Sequence, residues 1–282
     1  MSEFTEVGER VWVARYAWYD VNVTVVEGEA GLLVVDTHAS TRAAREVISD
    51  LRRLSSCPVI GVVNTHHHFD HVFGNAAFRE AFGPIPITAH ESAAVDIDAQ
   101  AAQVKRRALA GGEERAEEVA DTQVVPADHT FSSVSAIDLG DRSVELVHPG
   151  RGHTAGDLVV RMDGADVLLA GDLVEESGMP SYGEDCFPME WPLALDLALQ
   201  LIGPGTVVVP GHGAPVDLDF VEEQRSAIGV VAETIRDLAG RGVSTSEAPG
   251  AAQWPYPSEH LTHAIRRGFE QLPRDAKRLP LI

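Results

Sequence analysis

The sequence predicts an α/β protein, because short buried strands alternate with amphipathic helices along most of its length. The run Val59–Val63 is short, rich in β-branched residues and bounded by Pro58 and Asn64, which is typical of a buried strand. Before it, apolar residues between 44 and 54 recur at helical spacing and form one hydrophobic face. At 282 residues, the chain is long enough for one large domain with a substantial core.

The other elements follow the same alternation. Further strands are predicted at 11–16, 21–26, 32–35 and 85–89, in succession from 131 to 170, and at 206–209. Further helices are predicted at 75–82, in two surface pieces within 91–120, and at 191–202, 221–238 and 261–269. Residues 240–257 are rich in Gly, Ser, Pro and Ala, which indicates a linker. We therefore predict a main domain over residues 1–239, and a linker with a short C-terminal helix docked on it over 240–282.

The composition is strongly acidic, with a formal net charge of −21. Such a charge keeps a protein in solution and repels polyanions. The densest basic groups, at 52–53, 105–107 and 266–267, are short and lack interleaved aromatic residues. A nucleic-acid partner is therefore not expected, and a small-molecule substrate is.

The chain carries no apolar run of 18 or more residues, so the sequence predicts no membrane partner. Its first residues are acidic and lack the apolar stretch of a secretory signal. Cys57 and Cys186 are the two cysteines, which favours reduced thiols over a disulfide framework. We expect a cytoplasmic protein, and the oligomeric state stays open.

A dense histidine cluster follows the strand at 59–63. The segment Thr65-His66-His67-His68-Phe69-Asp70-His71 places four imidazoles and a carboxylate within six residues. In an extended chain, residues two apart point the same way, so His66 and His68 share one side. If the chain then turns, Asp70 and His71 can face the same cavity. Neutral imidazole and carboxylate suit zinc or iron, whereas the alternative is a solvated histidine cluster in a loop.

Three further polar residues follow strand-like runs downstream. They are His153 in Gly152-His153-Thr154, Asp172 in Gly171-Asp172-Leu173, and His212 in Gly211-His212-Gly213. The adjoining glycines allow a sharp turn and a close backbone approach, so that a strand can deliver each side chain at its end. Each one alone is a weak signal, but in this order behind the histidine cluster they form a strong constellation.

This ordered set resembles the metal-ligand series of the metallo-β-lactamase superfamily of hydrolases, over residues 11–215. The resemblance implies a four-layer αββα sandwich with two metal ions at one edge, between its sheets. It further implies that His66, His68 and His153 hold the first metal, that Asp70, His71 and His212 hold the second, and that Asp172 bridges them. The expected ions are two Zn2+ per chain, with iron or manganese as alternatives.

The chemistry expected of such a zinc pair is hydrolysis by a metal-bridging hydroxide. We assign Asp70 the catalytic role of orienting that nucleophile as well as ligating the second metal. Tyr182, in the loop after Asp172, is the candidate proton donor to the substrate. The alternative is an ordinary surface loop that Phe187 and Trp191 anchor to the core.

Other polar residues have open roles at this stage. Asp36 either supports a ligand histidine or caps the helix that begins near Thr41. His67 should point away from its two neighbours by alternation, and His38 either lines the site or is exposed. The remaining histidines are predicted to be structural or exposed: His90, His129, His148, His260 and His263.

The predicted reaction is hydrolysis of a small ester, thioester, lactone or amide. β-Lactamase activity on β-lactam antibiotics is one alternative, although such enzymes commonly carry Cys or Ser near the position of Asp172. A mononuclear iron persulfide dioxygenase and a non-catalytic metal-binding relative are the others. The short tail disfavours glutathione conjugates, and Glu175 stands where quorum-signal lactonases of the superfamily have a tyrosine.

Overall fold

The computed structural model describes residues 3–95, 97–112, 114–162 and 164–273. Its strands are β1 Thr5–Gly8, β2 Val11–Tyr16, β3 Val21–Gly28, β4 Gly31–Val35, β5 Val59–Val63, β6 Ile87–His90, β7 His129–Phe131, β8 Val134–Asp138, β9 Ser143–Val147, β10 Val159–Met162, β11 Val167–Glu175 and β12 Val207–His212. Its α-helices are α1 Thr41–Leu54, α2 Phe69–Val72, α3 Asn75–Phe82, α4 Glu91–Ala94, α5 Ile97–Gly111, α6 Ala116–Asp121, α7 Trp191–Leu199, α8 Leu218–Gly240 and α9 Thr262–Gln271. Short 3-10 helices lie at Ala248–Gly250 and Ser258–His260.

The strands form two half-sheets that meet along one seam. The first half runs in the order β7-β6-β5-β4-β3, with β2 and β1 continuing from β3, and the second runs β12-β11-β10-β9-β8. Among the described residues, a single antiparallel bridge between His212 and Val21 pairs β12 with β3. Strands β4 to β7 are parallel, as are β11 and β12, so their carboxyl ends lie at one edge.

The two half-sheets pack face to face over an apolar core. From the first half this core takes Val13, Val26 and Leu33, and from the second it takes Leu146 and Leu169. Residues that alternate along each strand face the opposite way, towards the helices. The sheets therefore form the two inner layers of a sandwich.

Helices cover both outer faces. On the first half-sheet, Val47 and Leu51 of α1 and Phe78 of α3 pack against strand residues such as Val23 and Val34. Helix α1 begins where the Ser40 side chain accepts a hydrogen bond from the Ala43 amide. On the second half-sheet, α7, α8 and α9 bury the apolar residues Trp191, Leu195, Ile228, Ile235 and Ile265. The four-layer αββα sandwich is confirmed.

The C-terminal segment lies on the second helical layer. Leu261, Ala264 and Ile265 join the core cluster that α8 forms, while Trp254 and Tyr256 pack against the same cluster. The stretch predicted as a linker is therefore packed on the protein over 240–257. The division at residue 239 stays a prediction, and residues 274–282 lie outside the described part.

Most predicted elements are present, with two additions. Strand β1, which pairs with β2, and α2, which carries Asp70 and His71 of the histidine cluster, were not predicted. Two surface pieces were predicted within 91–120, whereas the structure has three helices there, α4, α5 and α6. Helix α5 lies over the candidate site. Within the described ranges, no helix is both long and apolar enough to cross a membrane.

Candidate metal centre

The seven predicted ligands converge at the edge where the parallel strands end. His66 and His68 follow β5, and α2 carries Asp70 and His71. From the second half-sheet come His153 in the loop after β9, Asp172 in β11 and His212 at the end of β12. The seam between the half-sheets therefore divides the set, with four candidate ligands on one side and three on the other.

A first group consists of His66, His68, His153 and Asp172, each offering one atom within 4.8 Å of the others. Nδ1 of His68 lies 2.7 Å from Nε2 of His153. Asp172 Oδ2 lies 3.3 Å from Nε2 of His153 and 3.7 Å from Nε2 of His66. Three imidazole nitrogens and a carboxylate oxygen are a donor set that suits zinc.

A second group consists of Asp70, His71 and His212. Nε2 of His71 lies 3.3 Å from Nε2 of His212. Asp70 Oδ2 lies 3.4 Å from His212 Nε2 and 3.9 Å from His71 Nε2. Asp172 reaches this group too, since its Oδ1 is 3.2 Å from His71 Nε2 and its Oδ2 is 3.3 Å from His212 Nε2. Its carboxylate thus lies between the two groups.

The buried nitrogen of His66 tests whether these residues fit a metal. Its Nε2 has no hydrogen-bond partner among the described residues, and Asp172 Oδ2 at 3.7 Å is too distant to accept one. Buried polar atoms are normally paired. An unpaired nitrogen that faces a carboxylate is the arrangement expected where a cation binds between the two. The residues therefore fit a metal, with Nε2 of His66 as a donor atom.

The outward ring nitrogens of all five ligand histidines are held by acceptors. Such contacts set the tautomer, so that the other nitrogen presents its lone pair to the metal. The pairs are His66 Nδ1 with Thr65 Oγ1 at 3.1 Å, His68 Nε2 with Asp185 Oδ2 at 3.1 Å, His71 Nδ1 with Asp36 Oδ2 at 2.8 Å, His153 Nδ1 with the Ser181 carbonyl at 2.9 Å, and His212 Nδ1 with the Tyr19 carbonyl at 2.7 Å.

Asp36 has the supporting role and not the capping role. Its carboxylate accepts from His71, from the Thr65 amide and from the Thr65 hydroxyl, each at 2.8 Å. Ser40 caps α1 instead. Asp36 and His38 both have positive φ, at 65° and 76°, which only a few per cent of non-glycine residues adopt. His38 is buried against the rings of Tyr16 and Trp18, so it does not line the site.

Asp185 is a site residue that the sequence analysis did not single out. Its Oδ2 lies 3.1 Å from Nε2 of His68 and 3.0 Å from Nε2 of His67. Burial opposes ionisation, but the hydrogen bonds from His67 and His68 hold the pKa of Asp185 well below its usual range. His67 thus points away from the four-residue group, as alternation predicted. Nothing local in the sequence links Asp185 to a histidine 117 positions earlier.

Asp157 is a second residue that the sequence did not reveal. Its carboxylate accepts from the Gly152 and Thr154 amides and from the Thr154 hydroxyl, which closes the loop around His153. Burial raises its pKa to about 7, although the hydrogen bonds from Thr154 oppose this change. The spacing Thr154-x-x-Asp157 was the available signal, because such pairs close tight polar loops.

The electrostatics of the centre favour an ionised Asp172. Burial would raise its pKa, but His212, His71, His66 and His153 hold it well below its usual range. Burial lowers the pKa of His66, whose other histidine neighbours add to the effect. A ligand shared by two metal ions is expected to be ionised, as a carboxylate surrounded by four imidazoles would be.

Tyr182 lies in the apolar core and not in the wall of the cavity. It is buried in the core with its ring 5.1 Å from that of Trp191, and it does not line the cavity. Its hydroxyl has no hydrogen-bond partner within the described residues. This position does not support the expected role of Tyr182 as proton donor, because the loop turns its ring towards the helical layer.

Glu175 faces the cavity instead. Its carboxylate can approach the ligand atoms of Asp172 and His212 within 4.8 Å, and it accepts a hydrogen bond from the Ser177 hydroxyl at 2.6 Å. Burial, with the neighbouring Asp172, raises the pKa of Glu175 to about 7. Acidic side chains with such environments are common at sites of proton transfer.

A cavity of about 540 Å3 opens over the two groups, within the range of about 300–1,000 Å3 typical of small-molecule sites. Its floor includes the candidate ligands His68, Asp70, His153, Asp172 and His212. Its walls come from α2, from α5 and from the loop at 177–185. At the mouth, Arg107 of α5 pairs with Glu184 of the loop at 2.8 Å.

Glycine at two positions makes room for Asp172. A Cβ on Gly211 would lie 1.8 Å from Asp172 Oδ1, which no side chain can do without displacing that carboxylate. Gly171 has a φ of +51°, and a Cβ there would meet the Thr65 side chain at 2.8 Å. The glycines beside the predicted ligands therefore provide the space that the centre needs.

Comparisons with known proteins agree with this geometry. Residues 16–212 match the family described as the metallo-beta-lactamase superfamily. The chain is 27% identical over 217 residues to a metallo-beta-lactamase type 2 of Bacillus cereus, covering 74% of this chain and 75% of the relative. It is 25% identical over 293 residues to a linear primary-alkylsulfatase of a Pseudomonas strain, covering 87% of this chain and 54% of the relative.

Solved structures show the same fold. A metallo-beta-lactamase from Pontibacter korlensis superposes with a TM-score of 0.66 at 23% identity, over 81% of this chain and 99% of that one. A sec-alkylsulfatase from Pseudomonas sp. superposes with a TM-score of 0.76 at 18% identity, over 96% of this chain and 50% of that one. The chain thus spans about half the length of the alkylsulfatases that it matches. With its fold, its histidine and aspartate cluster and its matched family, the chain belongs to the metallo-beta-lactamase superfamily and is a metal-dependent hydrolase.

Proposed function

We propose that the protein is a binuclear zinc-dependent hydrolase of a small ester, thioester, lactone or amide. One observation carries the proposal: two groups of candidate ligands share Asp172 at the floor of a single cavity. His66, His68 and His153 would hold one Zn2+, and Asp70, His71 and His212 would hold the other. Zinc bound there would supply Lewis acidity, which activates water at neutral pH and polarises a carbonyl oxygen.

The remaining steps fall to side chains of this chain. Asp70 lines the cavity beside His212, where its carboxylate can accept a hydrogen bond from the attacking water and orient it. Glu175, in place of Tyr182, would donate a proton to the departing oxygen, sulfur or nitrogen atom. Its burial beside Asp172 and its place in the cavity support this role. The products would be a carboxylic acid and an alcohol, thiol or amine, and a lactone would give a single hydroxy acid.

The charges around the cavity rank the substrate classes. Among the described residues that line it, Arg107 is the one Lys or Arg side chain, and it is paired with Glu184. Carboxylates at Asp70, Glu175 and Asp185 face the same space. β-Lactam antibiotics and alkyl sulfates, the substrates in the names of the relatives, carry an anionic group that would find few partners here beyond the metals. Uncharged esters and thioesters therefore rank first.

A mononuclear iron enzyme, such as a persulfide dioxygenase, is the second candidate class. It would need only the donor set of His66, His68, His153 and Asp172. The second group consists of Asp70, His71 and His212, and the Nε2 atoms of its two histidines lie 3.3 Å apart. This group favours two ions over one.

The proposed setting is a cytoplasmic enzyme with reduced thiols, since Cys57 and Cys186 are both free. Residues 1–239 would be its catalytic domain.

Metal analysis with an activity comparison tests the proposal. The metal content of the purified protein is measured by mass spectrometry before and after zinc loading. The zinc-loaded protein is then assayed with p-nitrophenyl acetate, an acetyl thioester, a chromogenic cephalosporin and an alkyl sulfate, and the protein as purified is assayed for oxygen uptake with a persulfide. We expect two zinc ions per chain and cleavage of the ester and thioester ahead of the two anionic substrates. Faster cleavage of the cephalosporin or the sulfate would refute the ranking. One iron per chain with oxygen uptake on a persulfide would refute the hydrolase.

A further inference from the structure

One wall of the cavity is apolar, and helix α5 forms most of it. Ile97, Ala101 and Val104 lie at positions i, i+4 and i+7, so they share one face of the helix. All three line the cavity. Lys105, on another face, donates to the Thr122 carbonyl and lies away from the cavity. This helix therefore covers the centre with a stripe of small aliphatic side chains.

Aromatic residues complete the apolar wall from the side of the histidine cluster. Phe69 of α2 and Phe73, directly after this helix, line the cavity, with ring centroids 5.7 Å apart. The ring of Tyr19 meets that of Phe69 edge-on at 5.1 Å. Phe69 and Phe73 are neighbours of the candidate ligands Asp70 and His71 in the chain, so an apolar surface begins directly beside the metal centre.

Polar groups at this wall are few, and the one charged side chain that α5 adds among the described lining residues, Arg107, is paired with Glu184. Gln100 and Gln103 flank the aliphatic stripe on α5, and Oε1 of Gln100 is buried with no partner within the described residues. An amide side chain can bind an uncharged polar group of a ligand but gives no charge to an anion. A long apolar group would thus gain from burial here, whereas a second anionic group would not.

We propose that the substrate is an uncharged ester or thioester whose acyl group is an alkyl chain or aryl ring of several carbons, packed between α5 and Phe69 and Phe73. This inference rests on the proposed function for the reaction and adds the substrate class. Hydrolysis adds one water across the acyl–oxygen or acyl–sulfur bond, which gives the acid and the alcohol or thiol. The acyl chain stays on the apolar wall while the carbonyl lies over the centre.

A chain-length series is the first test. The zinc-loaded protein is assayed with p-nitrophenyl acetate, butyrate, hexanoate and octanoate, and KM and kcat are determined separately. We expect each added methylene group to lower KM about three- to fourfold, until the chain fills the wall, because burial of a methylene is worth about 0.8 kcal/mol. A KM that is flat or rises with chain length would overturn the inference.

Substitutions on α5 locate the effect. In Val104→Asn, a polar group enters the wall, and we expect KM for the octanoate to rise at least about fivefold, which is more than KM for the acetate rises. Val104→Phe fills the same space and should likewise raise KM for the octanoate more than KM for the acetate. Leu109→Asn is the matched control, since Leu109 is on the same helix, 56% exposed and outside the cavity. Equal effects of the Val104 and Leu109 substitutions would overturn the inference.

Direct binding separates this inference from the proposed reaction. Acetamide and octanamide are titrated into the zinc-loaded protein by calorimetry, since neither needs to be cleaved. Tighter binding of octanamide, by tenfold or more, with no cleavage of any ester would refute the hydrolase proposal and leave the apolar site standing. Equal binding of the two amides with good cleavage of the acetate would refute the apolar site alone.

Discussion

Replacing Asp185 with Asn removes the charge that holds two histidines of the cluster. One oxygen of Asp185 lies 3.1 Å from Nε2 of His68 and 3.0 Å from Nε2 of His67. An amide of the same shape can still accept a hydrogen bond, but it no longer favours the tautomer in which Nδ1 of His68 faces the metal. Removal of such an outer partner typically weakens metal binding about 10- to 100-fold. That range equals about 1.4–2.7 kcal/mol of zinc-binding free energy.

The contacts of Asp185 indicate which of the two zinc ions should bind more weakly in Asp185→Asn. His68 belongs to the group with His66 and His153, whereas Asp70, His71 and His212 make no contact with Asp185 among the described interactions. In Asp185→Asn, we therefore expect one of two zinc dissociation constants to rise 10- to 100-fold, as estimated above, and the other to stay within twofold. Competition with a fluorescent zinc chelator at constant pH measures both constants.

A matched control keeps this prediction refutable. Glu184→Gln changes the adjacent side chain, which pairs with Arg107 at the cavity mouth and touches no candidate ligand. We expect both of its zinc constants to match those of the unaltered protein. Unchanged constants in Asp185→Asn would show that the carboxylate does not position His68. Equal losses in the two variants would show that the loop, and not the carboxylate, matters.

The other predictions concern single side chains. Asp172→Ala should lower zinc content at both sites below half occupancy, measured by mass spectrometry, because its carboxylate lies between the two groups; full occupancy with normal turnover would exclude it as the bridge. Tyr182→Phe should leave kcat unchanged and leave stability equal or higher by up to about 1 kcal/mol in urea unfolding, because the deleted hydroxyl is buried and unpaired; a tenfold loss of kcat would restore its catalytic role. Burial lowers the pKa of His38 from near 6.5 to about 3 in the folded protein. Below pH 6.5 the unfolded chain therefore takes up a proton that the folded protein does not, and the free energy of unfolding falls as the pH falls. By pH 5 this loss is about 2 kcal/mol, and His38→Gln should lack it when unfolding is followed between these pH values; parallel curves for the two proteins would contradict the prediction.

The sequence was sufficient for residues whose signals are local. The histidine cluster, the glycines beside His153, Asp172 and His212, and the strand-like runs before them lie within short windows. Spacing and strand geometry therefore marked each of these residues as a candidate ligand, and the family resemblance implied that they meet. The αββα layers were also predicted from the sequence. The family resemblance implied them, and the apolar faces of α1 and α8 agree with them.

Residues that act over long distances in the chain were beyond that reasoning. Asp185 and Asp157 are isolated acids in loops, and only the folded chain brings them to His68 and to the loop around His153. The position of Tyr182 in the core was not predictable, because loop composition does not give the direction of a side chain. Helix α5 was predicted as a surface piece because residues 91–120 are rich in Ala, Glu and Arg. Only the folded chain shows that Ile97, Ala101 and Val104 of this helix face a cavity.

The proposed metal pair would also have a structural role, because it lies at the seam between the half-sheets. In the described part of the chain, His212 forms the one bridge that pairs β12 with β3, and each proposed ion would take ligands from both sides of it. Bound ions would then link the two half-sheets at the edge of the sheet, where few backbone hydrogen bonds connect them. Since a ligand that binds only the folded state stabilises it by about 2.7 kcal/mol at a hundred times its Kd, the cohesion of the two halves would follow the free metal concentration around the protein.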